Sequence, residues 1–72
     1  MTLPKTLERY ADKIAEVEDD RANDNGWWVY LKRGWQDAYN PTCHQYHEDT
    51  LKDCALLLQD AIPCSCQDCL TD

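Results

Sequence analysis

Basic residues are scarce in this sequence, phenylalanine is absent, and only two glycines occur. Seven Lys and Arg stand against 14 Asp and Glu, which gives a net charge of −7. That charge argues against direct binding of nucleic acid, because such binding relies on Lys and Arg to neutralise phosphates. It favours a basic partner protein or the mimicry of a polyanion, and an acidic surface that serves only solubility is the plain alternative.

Long apolar runs are missing as well. No stretch reaches the roughly 18 residues that a membrane span requires, and the opening residues MTLPKTLERYADK lack the apolar segment of a signal peptide. We therefore expect a cytoplasmic protein without membrane contact, in a compartment that keeps thiols reduced. The five cysteines are an odd number, so a fully paired set of disulfides within one chain is excluded.

The length of 72 residues suits one small domain over residues 1–72. A chain of this size buries only about 60% of the surface that it exposes when unfolded, so its stability is marginal. Domains of this kind often gain stability from a disulfide, a metal ion or a partner subunit. The cysteines are therefore the first place to look for such a device.

Apolar residues recur at helical spacing near the N-terminus, at Leu3, Leu7, Tyr10, Ile14 and Val17. This stripe predicts a helix over residues 3–22, which NDNG at 23–26 would end. The aromatic and β-branched run WWVYLK at 27–32 predicts a strand, with residues 35–39 as its partner in a hairpin. A second apolar stripe predicts a helix over residues 50–61. The predicted fold class is therefore α+β: an N-terminal helix, a short antiparallel β-hairpin or small sheet, a second helix, and a Cys-rich C-terminal tail.

Three cysteines lie within six positions near the C-terminus, at Cys64, Cys66 and Cys69. The spacing C-x-C-x-x-C lets thiolates converge on one tetrahedral metal ion, which then needs a fourth ligand. A helix over 50–61 would hold His47 about 18 Å from Cys64. An extended segment running back along that helix would instead carry Cys43 or His44 toward the tail. Either residue would complete a closed, sulfur-rich site, which favours structural zinc.

Other states of these thiols remain open. The cysteines could stay reduced without metal, or form disulfides. Cys54 falls in the apolar stripe of the second predicted helix and is expected to be a small core residue. His47 would then be a surface or capping histidine, or a partner contact.

Catalytic motifs are missing from the sequence. It contains neither the H-E-x-x-H motif of metalloproteases nor its inverse, and only the order His44-x-x-His47-Glu48 occurs. The signature of zinc deaminases also fails, since His47 is followed directly by Glu48. With Gly26 and Gly34 as the only glycines, there is no phosphate-binding loop. We therefore expect no enzymatic activity.

The tryptophans and acids indicate a partner surface. Strand alternation sends Trp27 and Trp28 to opposite faces, and Tyr30 shares the face of Trp28. Exposed aromatic residues mark partner sites, so Trp28 and Tyr30 are the predicted contacts. A run of acids ends the first predicted helix near that strand, and from it we predict further contacts at Asp19, Asp20 and Asp24. The alternative is that this run is simply solvated.

The stretch "GWWVYLKRGWQ … HEDTLKDC … PCSCQDC", over roughly residues 26–69, is similar to short, mostly uncharacterised open reading frames of bacteriophages and prophages. The resemblance implies a phage-encoded accessory protein. Small acidic phage proteins include inhibitors of host defence, such as anti-CRISPR proteins, which often occupy nucleic-acid-binding surfaces.

These observations lead to one main hypothesis and two alternatives. The main hypothesis is a non-enzymatic, acidic, zinc-stabilised protein-binding module. It would be a phage-encoded inhibitor or modulator of a basic, nucleic-acid-binding host protein such as a CRISPR–Cas component, in the cytoplasm of a bacterial host. One alternative is a structural or regulatory homodimer joined along the helix over 3–22. The other is a small metal- or redox-handling protein.

Overall fold

Strands dominate the part of the chain that the structure describes. A computed structural model of the protein describes residues 3–39 and 44–66. In chain order, the elements are an N-terminal 3-10 helix at Lys5–Tyr10, β1 at Ile14–Asp20, a short 3-10 turn at Arg21–Asn23, β2 at Gly26–Leu31, β3 at Trp35–Gln36, β4 at Gln45–Glu48, α1 at Leu51–Gln59 and β5 at Ile62–Pro63. Three strands form an antiparallel sheet in the order β1-β2-β4, and β3 pairs with β5 in a second sheet.

The prediction of an N-terminal helix over residues 3–22 is wrong, and with it the predicted α+β layout. Helical backbone in this region is limited to the N-terminal 3-10 helix and to the 3-10 turn that begins at Arg21. Between them, after a turn at residues 11–13, the chain forms β1. The described residues form mostly strands with a single α-helix. None of their helices has the length and apolarity needed to cross a membrane.

A β-bulge explains why β1 resembled a helix in the sequence. The register shifts between Ile14 and Glu16, so that Ile14 pairs with Leu31 and Val17 pairs with Val29. The bulge adds one residue to β1, and Ile14 and Val17 therefore lie on the same face although they are three positions apart. That spacing is also the spacing of a helical stripe.

The homodimer hypothesis depended on the same stripe. Leu7 and Ile14 have 0% and 1% exposure and belong to the hydrophobic core of the chain itself. The surface on which two helices were to meet is therefore not formed.

The strand predicted over 27–32 is confirmed as β2, but its predicted pairing with residues 35–39 is wrong. The backbone amide of Trp35 donates to the Lys32 carbonyl at 3.2 Å, and Gly34 has a φ of 98°. This turn directs the chain away from β2, because positive φ at glycine allows a sharp change of direction. Trp35 then pairs with Pro63 of β5.

The second predicted helix, over 50–61, is confirmed as α1. The Thr50 side chain accepts a hydrogen bond from the Asp53 amide at 3.1 Å and caps the first turn. At the other end, the Ala61 amide donates to the Leu58 carbonyl at 3.2 Å, and Pro63 then lies in β5.

The core lies on one face of the three-stranded sheet. Leu7 of the 3-10 helix and Cys54 and Leu58 of α1 pack there with the buried side chains of the strands, Ile14, Val29, Leu31 and Tyr46. Cys54 is 0% exposed, which confirms it as a core residue, and burial raises the pKa of its thiol to about 11. On the outer face of the sheet, Glu16, Glu18, Gln45 and His47 are exposed.

Candidate functional site

A histidine and two cysteines meet where the two sheets adjoin. The ligand atoms of His44, Cys64 and Cys66 all lie within 4.8 Å of one another, and this group could hold a metal ion. His44 lies directly before β4, and the cysteines follow β5. The pairing of β5 with β3 and a 2.8 Å hydrogen bond from the Cys64 amide to the Gly34 carbonyl hold Cys64 in place.

Hydrogen bonds hold both the backbone and the imidazole ring of His44. The Leu31 amide donates to the His44 carbonyl at 2.7 Å, which anchors its backbone at the end of β2. The Nδ1 atom lies 3.0 Å from the Trp35 carbonyl oxygen. A carbonyl only accepts hydrogen bonds, so Nδ1 is the donor in this contact, and Nε2 is the ring nitrogen placed to coordinate a metal. Histidines that bind metals are oriented in this way, with the second ring nitrogen donating to a carbonyl or carboxylate.

The Nε2 atom of His44 faces the two sulfur atoms. Nε2 of His44 lies 3.3 Å from Sγ of Cys66 and 4.0 Å from Sγ of Cys64. The backbone amide of Cys66 also points at Sγ of Cys64, at 3.5 Å. An N–H group directed at sulfur stabilises the negative charge of a thiolate, which is the form that binds metals.

Of the predicted ligands, the structure brings together His44, Cys64 and Cys66. Cys43 and Cys69 lie outside the described residues. His47 does not belong to this group and lies on β4, where it pairs with Trp28.

The outer face of the three-stranded sheet carries a second group of functional side chains. Its residues alternate along the strands with those of the core face. The register places Glu18 beside Trp28 and Trp28 beside His47, and places Glu16 beside Tyr30 and Tyr30 beside Gln45. We call this surface the acidic aromatic face and define it by Glu16, Glu18, Asp20, Trp28, Tyr30, Gln45 and His47.

Three rings form the centre of the acidic aromatic face. The Trp28 and Tyr30 rings are stacked, with centroids 6.3 Å apart and an angle of 19° between their planes. On the other side of Trp28, the His47 ring lies at 4.5 Å with a tilt of 46°. Trp28 and Tyr30 are half-buried and His47 is exposed, so a partner can reach the edge and part of the surface of each ring.

Asp20 is held at the border of this face by neutral donors. Its carboxylate accepts hydrogen bonds from Asn23 and Asn25 at 2.7 Å each, and from Nε1 of Trp28 at 2.9 Å. The bond from Asn23, followed by those from Asn25 and Trp28, lowers the pKa of Asp20. Since these three donors carry no charge, they fix the carboxylate in place without cancelling its negative charge.

A second carboxylate, that of Glu18, lies next to Tyr30 on the acidic aromatic face. The Tyr30 hydroxyl donates to a Glu18 carboxylate oxygen at 3.1 Å. Partial burial raises the pKa of Tyr30, and the charges of Glu18, Glu16 and Asp20 raise it further. The phenol therefore lies in a negative potential, which is the potential that a cationic partner would meet.

The predicted partner contacts divide between different surfaces. Trp28, Tyr30 and Asp20 lie together on the acidic aromatic face. Asp19 lies on the opposite face of β1, where Arg21 binds its two oxygens at 2.9 and 2.7 Å. Asp24 lies in the turn before β2, with a φ of 61°.

Glu16 and Glu18 belong to the acidic run that ends the first predicted helix, and a partner contact is one of the roles expected for His47. The sequence did not predict that these three residues share one face of a sheet with Trp28 and Tyr30. A signal for the glutamates was present in the sequence, since Glu16, Glu18 and Asp20 alternate with a period of two, as on one face of a strand. Assigning this stretch to a helix concealed that alternation.

No protein-family model matches the chain, and comparisons with curated proteins and with solved structures also find no match.

Replacing Arg21 by glutamine is expected to return the pKa of Asp19 toward its ordinary value of 3.8, from about 2 in the native protein, because the hydrogen bond from Arg21 is the main cause of the shift. A lowered folded-state pKa contributes stability at pH values above the unfolded value, and that contribution is lost as the pH falls through the folded pKa. The Asp19 contribution should therefore disappear between pH 3.8 and about 2 in the native protein.

The measurement is a carboxyl-carbon NMR titration of both proteins. Asp20 serves as the internal reference, because its donors are neutral and the substitution leaves them in place. An Asp19 pKa that is unchanged in Arg21→Gln would contradict the assignment of its cause.

Proposed function

We propose that the protein is a non-enzymatic, zinc-stabilised binding module that uses the acidic aromatic face to bind a basic segment of a partner protein. The observation that carries this proposal is the composition of that face. Stacked aromatic rings lie between carboxylates whose hydrogen-bond donors are neutral, while the opposite face of the same sheet is filled by the core.

The two kinds of side chain on this face would contribute differently to binding. Half-buried aromatic rings offer apolar contact area and a π surface for Lys or Arg, and such residues supply most of the affinity at interfaces. The carboxylates attract a basic partner over a longer distance and raise its association rate. The net charge of −7 extends this attraction over the whole molecule.

Zinc fits the donor set of the candidate metal group. A tetrahedral ion bonded to imidazole nitrogen and thiolate sulfur at ordinary lengths would separate those two atoms by about 3.6 Å. The observed separations of 3.3 and 4.0 Å lie on either side of that value. Thiolate and imidazole ligands favour zinc over the hard cations magnesium and calcium, which prefer oxygen. Cys43 and Cys69 are the proposed sources of the remaining ligand.

The place of the metal group in the chain supports a structural role. His44 joins the group to the start of β4, and β4 supplies His47 to the acidic aromatic face. Cys64 and Cys66 join it to the end of the described chain. A zinc ion here would therefore tie together the edge of the main sheet and the small second sheet. Structural zinc contributes on the order of 10 kcal/mol in small domains.

A narrower form of the proposal rests on the acidic charge and on the resemblance of the sequence to short phage and prophage proteins, which no matching curated protein supports. In that form the protein acts in the cytoplasm of a bacterial host. Its partner is a basic, nucleic-acid-binding host protein such as a CRISPR–Cas component, whose phosphate-binding surface it would occupy.

The test of the proposal is titration of an arginine-rich peptide against the native protein and the double variant Glu18→Gln, Asp20→Asn. We expect the double variant to bind roughly twofold to thirtyfold more weakly, because two exposed ion pairs at about 0.2–1 kcal/mol each contribute about 0.4–2 kcal/mol together. Its affinity should also depend less on salt concentration, since fewer charges are screened.

The matched control is Asp24→Asn, which also removes a carboxylate. Asp24 has a φ of 61°, a conformation that asparagine tolerates, and it lies in the turn outside the acidic aromatic face. Its affinity should stay close to that of the native protein. Binding that falls by the same factor per charge in both variants would show attraction by net charge alone and would overturn the proposal.

A further inference from the structure

We infer that the basic partner binds as an additional strand along the free edge of β1, with cationic residues at every second position. This inference rests on the proposed function and specifies how the partner is held. Within the described residues, β1 pairs with β2 on one side only, because the sheet order is β1-β2-β4.

Among residues 3–39 and 44–66, no strand pairs with the outer edge of β1 over its central part. At the start of β1, Ile14 donates its amide to the Ala11 carbonyl at 3.4 Å. At its end, Asp20 accepts from the Asn25 amide at 3.2 Å on the side of β2, where the turn into β2 closes. Between them, residues 15–19 belong to an edge strand, in which every second residue directs its N–H and C=O away from the sheet. This stretch is about 17 Å long, enough for a short strand to pair with it.

The side chains of β1 determine which strand fits. A residue added opposite Glu16 or Glu18 would lie on the acidic aromatic face, where Lys or Arg is favoured, since opposite charges on neighbouring strands stabilise a sheet. The residue between them would lie beside Val17, which is half-buried on the inner face, and an apolar side chain is favoured there. The matching segment therefore alternates basic and apolar residues.

A second copy of this chain is the less suitable occupant. Pairing two β1 strands would bring the Glu16 and Glu18 side chains of one copy against those of the other. Like charges directly opposite one another destabilise a sheet. The charge of the edge therefore selects a basic strand and opposes self-association through β1.

The test uses the protein unchanged and a nine-residue peptide of alternating lysine and valine, with blocked ends. Two further versions carry N-methyl groups on alternate backbone amides, one on the lysines and the other on the valines. An N-methyl group removes a hydrogen-bond donor and blocks pairing at that position. In the bound peptide, the lysine amides point to one edge of the strand and the valine amides to the other, and only one edge pairs with β1. We therefore expect one methylated version to lose about tenfold or more in affinity and the other to bind nearly as the parent peptide does.

Three other outcomes are distinguishable. Equal binding of both methylated versions, with weaker binding to the Trp28→Ala protein, would overturn strand addition and leave the proposed function intact. Equal loss in both versions would also overturn strand addition, because pairing through a single edge predicts a difference. Absence of binding by the parent peptide and by arginine-rich peptides at low salt would overturn both proposals.

Discussion

Replacing Cys66 by serine is expected to abolish zinc binding. It should also lower the free energy of unfolding by several kcal/mol. A hydroxyl does not replace a thiolate as a zinc ligand, and the binding energy of a structural metal is part of the folding energy. Sγ of Cys66 lies closest to Nε2 of His44, at 3.3 Å, so its loss removes a central member of the group. A domain of this size has little stability to spare.

The measurement combines metal analysis of the purified protein with thermal unfolding, with and without a chelator. The native protein should contain one zinc per chain, and the chelator should lower its Tm to about that of Cys66→Ser. Ser65→Ala is the matched control, since it changes the exposed residue between Cys64 and Cys66 without removing a ligand atom. Metal-free native protein with a Tm that does not respond to the chelator would overturn the zinc assignment.

Thiol counting separates zinc from the other states of the cysteines. Ligated thiols react slowly until the metal is removed, and Cys54 is slow in either case because burial raises its pKa to about 11. Cys43→Ser and Cys69→Ser, analysed in the same way, show which residue supplies the remaining ligand. Full reactivity of the thiols of Cys64 and Cys66 before the chelator is added would favour reduced, metal-free cysteines.

Replacing Trp28 by alanine is expected to weaken binding of the basic peptide about thirtyfold or more, which corresponds to the 2 kcal/mol that marks a dominant interface residue. The substitution removes the ring that stacks with Tyr30 and contacts His47. It also removes the indole donor that helps to hold Asp20 in place. The aromatic centre and the acidic border of the face are therefore both affected.

Two further variants make this result interpretable. Tyr39→Ala removes an aromatic ring that is 64% exposed and does not belong to the acidic aromatic face, so binding should be nearly unchanged. Trp28→Phe keeps an aromatic ring but loses the hydrogen bond to Asp20, and should fall between the native protein and Trp28→Ala. Calorimetric titration gives the affinities, and circular dichroism checks that each variant is folded. Equal weakening by Trp28→Ala and Tyr39→Ala would contradict the assignment of the face.

Local sequence patterns predicted some elements and failed for others for identifiable reasons. The β2 strand follows from a dense run of aromatic and β-branched residues. The α1 helix follows from its apolar stripe and the Thr50 cap. The N-terminal stretch failed because the bulge in β1 gave Ile14 and Val17 the spacing of a helix, and single-residue bulges leave no clear signal in composition. Both partners of β2 were missed, β1 because its residues were assigned to a helix and β4 because it is distant in the sequence.

By itself, the sequence determined the acidic charge, the clustering of thiols near the C-terminus and the alternation of Trp28 and Tyr30 away from the core, because these properties depend only on residue identity and local period. Only the tertiary structure decided which residues meet. It brought His44 to Cys64 and Cys66 from 20 and 22 positions away, and it placed Glu18 and His47 on either side of Trp28. The physical reason is that strand pairing joins distant segments through backbone hydrogen bonds, whose register is set by the packing of the whole sheet.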